Sequence, residues 1–191
     1  MNILQNAALL LITSTAFSCA YAQTTTDETS AGSGIGSYCI KDRTNKGIVK
    51  NLWFEYAEGT LMNGVPRRMC QITNGDNMGL VDAGIFFSKD PSIAATYLSR
   101  GVAVEKLPPF DPNKWATPSH QFCALLNGIE MSASGGWVTS KHGAQNDLCT
   151  FADGSALSIY TLIYTSMDRK FLGIVSKIKA TPLNINLPYS R

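Results

Sequence analysis

Met69-Cys70-Gln71-Ile72-Thr73-Asn74-Gly75-Asp76 and Leu148-Cys149-Thr150-Phe151-Ala152-Asp153-Gly154-Ser155 are the two stretches on which the fold turns. Each runs apolar residue, cysteine, polar, apolar, small, Asn or Asp, glycine, polar. Asn-Gly and Asp-Gly favour tight turns because these residues tolerate positive φ, so each cysteine is expected on a strand that runs into a turn. Upstream stand Tyr38-Cys39 and Phe122-Cys123. Cys123 follows Cys39 by 84 residues and Cys149 follows Cys70 by 79, which fits one duplication with a five-residue length difference. Chance likeness among turn residues is the alternative. The predicted fold is α+β: two related small units, residues 38–107 and 118–191, with antiparallel sheets, short helices and one disulfide each, packed side by side.

Leu52-Trp53-Phe54-Glu55-Tyr56 and residues 156–165 are rich in aromatic and β-branched side chains and are expected to be strands. Asp90-Pro91 ahead of Ser92 to Arg100 predicts a helix, with Asp90 as N-cap and Pro91 at the first helical position. Leu107-Pro108-Pro109-Phe110-Asp111-Pro112 breaks regular structure, and residues 108–117 are read as the connection between the units.

The first 22 residues carry no charged side chain; Ala7 to Ile12 are apolar, and Ala20-Tyr21-Ala22 has the small-x-small form read by signal peptidase. Residues 1–22 are expected to be a cleaved signal peptide, and residues 23–37, rich in Thr, Ser and Gly, a flexible leader. The apolar stretch is shorter than the roughly 20 residues a spanning helix needs, so no transmembrane segment is expected. Lipidation at Cys19 is a second route, although Ala16-Phe17-Ser18 lacks the aliphatic residue expected there. Either route leaves Cys39, Cys70, Cys123 and Cys149, and an even count in an exported chain reads as two disulfides. No Cys-x-x-Cys occurs and His120 and His142 are not spaced like zinc ligands, so neither metal nor cofactor is expected. Of the three pairings that four cysteines allow, the symmetry of the repeat favours Cys39–Cys70 and Cys123–Cys149. Each bridge is expected to contribute about 3 to 4 kcal/mol by restricting the unfolded chain. The expected location is periplasmic or secreted.

Of the 191 residues 45% are apolar and 16% charged, with a formal net charge of +2. The near balance argues against nucleic acid as a partner. Ample apolar content without a heptad or Gly-x-y period excludes a coiled coil, a collagen and a mostly disordered chain.

Phe122-Cys123, Asn127-Gly128 and Cys149 through Ser155 resemble a small bacterial domain family of unknown function, found in exported proteins and often labelled haemolysin. Its pattern runs aromatic-Cys, a short helix, Gly-Gly, a strand pair, then Cys-x-Phe-Pro-Asp-Gly-Ser. The likeness covers residues 118–165; Ala152 stands in place of the Pro and Asn127 in place of the first Gly. It implies an exported α+β module and no established activity.

Phosphate-loop, zinc-protease and serine-elbow motifs are not found. His142, with Asp147 nearby in sequence, is the one acid-base candidate; a polar loop histidine is the plainer reading. Arg67, Arg68, Lys177 and Lys179 are the candidate partner-binding residues, toward an acidic protein or anionic envelope polymer. The plainer reading takes Lys177-Ile178-Lys179 as the solvated face of a strand. Trp53, Trp115 and Trp137 are core or interface anchors. The function expected is non-enzymatic: an exported envelope binding protein, of inhibitor or immunity type, whose partner is another protein such as a toxin or hydrolase. A small secreted hydrolase or lytic effector using His142 and a structural component of a surface assembly are the alternatives.

Overall fold

In the computed structural model, which describes residues 34–56, 65–134 and 147–191, strand β2 (Val65–Asn74) turns at Gly75 into β3 (Asn77–Asp82). Gly75 has φ +57°, which a glycine adopts without steric penalty. Strand β1 (Lys46–Tyr56) runs antiparallel to β2, from Lys46 opposite Thr73 to Phe54 opposite Val65. A short helix, α1 (Gly34–Cys39), precedes it, and α2 (Gly84–Phe87) and α3 (Ile93–Arg100) follow β3. The rest of the chain forms α4 (Pro118–Leu125), β4 (Ile129–Ser134), β5 (Asp147–Thr150), β6 (Ala156–Ser158) and α5 (Ile159–Met167), with α6 (Ile174–Lys177) beyond.

All six strands join one antiparallel sheet closed into a barrel, in the order β1-β2-β3-β6-β5-β4. First strand meets first strand at β1–β4, and third meets third at β3–β6, where Val81 pairs with Leu157. Three strands alone would leave two rows of unpaired backbone groups; each half covers the open edges of the other. The halves therefore share one sheet, where two sheets packed side by side had been expected. One apolar core spans both, with Cys70, Ile72 and Val81 from the first and Cys149, Leu157 and Leu162 from the second.

The disulfides join Cys39 to Cys70 and Cys123 to Cys149, fastening α1 to β2 and α4 to β5, with all four cysteines fully buried. A glycine lets the backbone pass each bridge. A Cβ on Gly47 would lie 2.9 Å from the Cys39 carbonyl oxygen, and one on Gly128 would lie 2.8 Å from Cys123 Sγ and closer still to Cys149 Sγ. Asn127, at φ +60°, turns the chain out of α4, a conformation that Asn tolerates better than most residues. The Asn127-Gly128 pair thus combines a left-handed exit with a close approach to sulfur.

Four local expectations are corrected. The strand expected over residues 156–165 ends at Ser158, because Ser158 Oγ accepts from Thr161 N (3.4 Å) and buried Ile159, Leu162, Thr165 and Ser166 recur at helical spacing. The helix expected from Pro91 starts at Ile93, because Ser92 rather than Asp90 caps it, its Oγ accepting from Ala95 N at 3.1 Å. The segment around Lys177 is helix α6, not a strand. Helix α1 begins at Gly34, inside the stretch read as leader; it ends at Cys39, which the disulfide holds to β2.

Arginines bind the outer helices together. Arg169 Nη2 donates to the carbonyls of Leu98 (2.6 Å) and Ser99 (2.7 Å), and Nη1 to that of Thr165 (3.0 Å), closing the C-terminal turn of α3 against α5. Arg100 donates to the carbonyls of Leu183 and Ile185, and Arg191 to that of Ser166, which straps the C-terminal segment across the same side. The Tyr97 hydroxyl lies 3.2 Å from the Leu126 carbonyl and 3.1 Å from that of Pro188, and burial pushes its pKa up to about 12.

Candidate functional site

The first turn of a helix leaves backbone N–H groups without intrahelical partners. At α3, Ser92 serves Ala95 N, but the N–H groups of Ile93 and Ala94 are taken by the other half of the chain. Asp153 Oδ2 accepts from Ile93 N at 2.7 Å, and Ser155 Oγ accepts from Ala94 N at 3.0 Å. Asp153 Oδ1 in turn accepts from Ser155 N (3.0 Å) and Ser155 Oγ (2.7 Å). The Asp-Gly-Ser turn of one half is thus the cap of a helix in the other, with the carboxylate charge at the helix end that favours it.

Beside this cap lies a cleft of about 260 Å³ whose lining includes Arg67, Asp82, Ser88, Asp90 and Asp153. Arg67, on β2, lays its guanidinium over Gly154: a Cβ there would sit 3.7 Å from both Nη1 and Nη2. Its Nε is shut from solvent without a hydrogen-bond partner. Among the described residues no carboxylate closes an ion pair with Arg67. Asp82, at the end of β3, accepts from Gly84 N through Oδ1 at 2.8 Å. Asp90 Oδ2 accepts from Ser88 Oγ at 2.6 Å, and Ser88 Oγ accepts from Asp90 N at 3.0 Å.

Burial raises the pKa of Asp82 above the ordinary 3.8, against the opposing effects of the Gly84 N–H and Arg67; Asp153 adds to the rise. A carboxyl whose folded pKa exceeds its unfolded value supports the fold most below 3.8 and loses that support as pH rises through the folded value. Asp82→Asn keeps the Oδ1 acceptor and removes the ionisation. It should melt above the wild type at pH 7, with the gap closing toward pH 3; a variant that melts lower at pH 7 would show the charge to be stabilising.

No family model, curated protein or solved structure matches this chain. The site is therefore read from its own chemistry.

Of the basic residues named from sequence, Arg67 alone lines the cleft. Arg68, its neighbour on β2, points to the other face of the strand and is exposed. Lys177 is corrected: it is buried at 1% exposure, its Nζ donating at 3.0 Å to the Leu172 carbonyl, which also accepts from Asn45 Nδ2 at 2.9 Å. It is a core lysine, its pKa lowered by burial, and offers no partner a surface charge. Lys179 Nζ lies 3.4 Å from the Tyr38 ring centroid, a cation–π contact outside the cleft. His142 and Trp137 fall outside the described residues, as does the side chain of Trp53. His120, on α4, stands edge-on to Trp115 at 5.2 Å and 3.9 Å from Glu130 Oε2. The four cysteines, all bonded, offer no thiolate. Among the described residues no group of three or more His, Cys, Asp or Glu side chains is placed to hold a metal ion, and no helix is long and apolar enough to cross a membrane. Two disulfides fit an oxidising, extracellular compartment.

Sequence reading gave Asp82 and Ser88 no role and took Asp90 only for a helix cap. Their only local signals are Asp-x-Gly at 82–84 and Ser-x-Asp at 88–90, which mark side-chain-to-backbone turns. Nothing in either pair announces the approach of Arg67.

Proposed function

We propose that this chain is an exported binding protein of the bacterial envelope, of inhibitor or immunity type, whose cleft receives an acidic side chain of a toxin or hydrolase on Arg67 together with a neighbouring basic group of the same partner on Asp82 and Asp90. Arg67 carries the reading. Its fork of donors suits bidentate contact with a carboxylate, and it lines an open cleft with its buried Nε unpartnered among the described residues. A closed barrel with two disulfides holds the cleft in a fixed shape, which lowers the ordering cost of binding. We also propose that residues 118–165 are kin to the exported Cys-x-Phe-x-Asp-Gly-Ser modules. Support comes from the work that Gly128, Asp153 and Ser155 do in closing the disulfide and capping α3.

Affinity capture with tagged residues 23–191 against periplasmic and culture-supernatant fractions, read by mass spectrometry, tests the function. The expected result is one stoichiometric protein retained by the wild type and lost with Arg67→Ala. Retention of nothing, or equal retention by both, would overturn it.

A further inference from the structure

We infer that the cleft also takes a small zwitterion of the α-amino-acid class, its carboxylate on the Arg67 guanidinium and its ammonium between Asp82 and Asp90. The inference rests on the cleft being a recognition site and not on the partner being a protein. Size is the first ground: about 260 Å³, below the roughly 300 to 1,000 Å³ of pockets for drug-sized ligands, suits a small charged group.

Charge is the second ground. Asp153 has both oxygens engaged, by Ile93 N and by Ser155. Asp82 uses only Oδ1 and Asp90 only Oδ2 among the described residues, so each keeps one oxygen for a ligand. A simple anion on Arg67 would meet these carboxylates, and a simple cation on them would meet Arg67. A molecule with opposite charges two atoms apart meets both without leaving either wall unpaired. The third ground is the apolar remainder of the lining, Ile85, Pro91 and Ala180, which suits a short aliphatic side chain such as that of alanine.

Titration calorimetry on residues 23–191 tests this with alanine, with acetate and methylammonium as single-charge probes, and with Nε-acetyl-lysine, which carries the same zwitterion on a tether. Alanine is expected to bind at least tenfold more tightly than either single-charge probe. Arg67→Met and Asp82→Asn should each weaken it at least tenfold, with cooperative melting retained in both. A preference for the tethered form would assign the group to an amino acid linked to a larger molecule through its side chain, and a preference for alanine to a free amino acid. Acetate binding as tightly as alanine, no binding of either zwitterion, or unchanged affinity in both variants would overturn the inference. Loss of zwitterion binding with protein capture intact overturns this inference alone; the converse overturns the protein-partner reading alone.

Discussion

Gly128→Ala is expected to leave Cys123 and Cys149 as free thiols after oxidative refolding. The added methyl would lie 2.8 Å from Cys123 Sγ, inside the contact radius of Cys149 Sγ, and 3.2 Å from Phe151 Cε1. None of these is the free end of a flexible chain: both sulfurs belong to the bond itself, and Phe151 is buried. Either the bond fails to close or α4 is pushed off β5. Loss of the bond alone costs about 3 kcal/mol for a loop of this size, and strain in a packed core adds roughly 1 to 3 kcal/mol. Thiol titration and urea unfolding measure both effects. Gly75→Ala is the control: nothing lies within 4 Å of its Cβ, so only the left-handed φ of +57° is penalised, at about 1 kcal/mol. A fully oxidised Gly128→Ala protein with wild-type stability would show that the backbone does not need this approach.

Asp153→Ala is expected to destabilise by about 2 to 3 kcal/mol, more than an ordinary helix cap, because a charged acceptor is lost. The substitution frees Ile93 N and removes both hydrogen bonds from Ser155 to Asp153, leaving Ser155, among the described residues, only its carbonyl contact with Phe151 N and its side-chain contact with Ala94 N. The contact of Ser155 Oγ with Ala94 N is then less firmly oriented. Ser155→Ala alone should cost about 1 kcal/mol, and the double variant less than the sum, since the two side chains act as one cap. Urea midpoints at constant slope give these values. Additive effects, or an Asp153→Ala loss below that of Ser155→Ala, would mean that the two residues cap α3 independently.

Both results bear on what the sequence could reveal. The cysteines, the Asx-Gly turns and the spacing between halves were legible because each is a local pattern with a local cause. They were enough to predict an α+β chain with Cys39 bonded to Cys70 and Cys123 to Cys149. Closure of all six strands into one barrel was not legible. It depends on β1 meeting β4 and β3 meeting β6, pairings between strands far apart in sequence with no turn to announce them. Residues 159–165 misled for a related reason: Ile, Tyr and Thr favour strands, but the cap at Ser158 and a buried helical face outweigh that preference. Lys177 misled because lysines alternating with an apolar residue, as in Lys177-Ile178-Lys179, normally mark a solvated strand face. Here the Leu172 carbonyl, left-handed at φ +48°, turns inward to meet its ammonium group.

The candidate site was half legible. Asp-Gly-Ser stood out as a motif, and the structure gives it a mechanical role in joining the halves. Arg67 stood out only as one of two adjacent arginines, and its sharing a cleft with Asp82 depends on the register of β2 against β3, in which Met69, two residues on, pairs with Asp82.

Recognition through Arg67 is tested most directly by one variant measured two ways: thermal unfolding of Arg67→Ala beside its capture of the partner retained by the wild type. A guanidinium with no hydrogen-bonded partner among the described residues contributes little to the fold, so the predicted result is a melting temperature within about 2 °C of wild type together with loss of capture. A large drop in melting temperature with capture unchanged would contradict it, making Arg67 part of the scaffold.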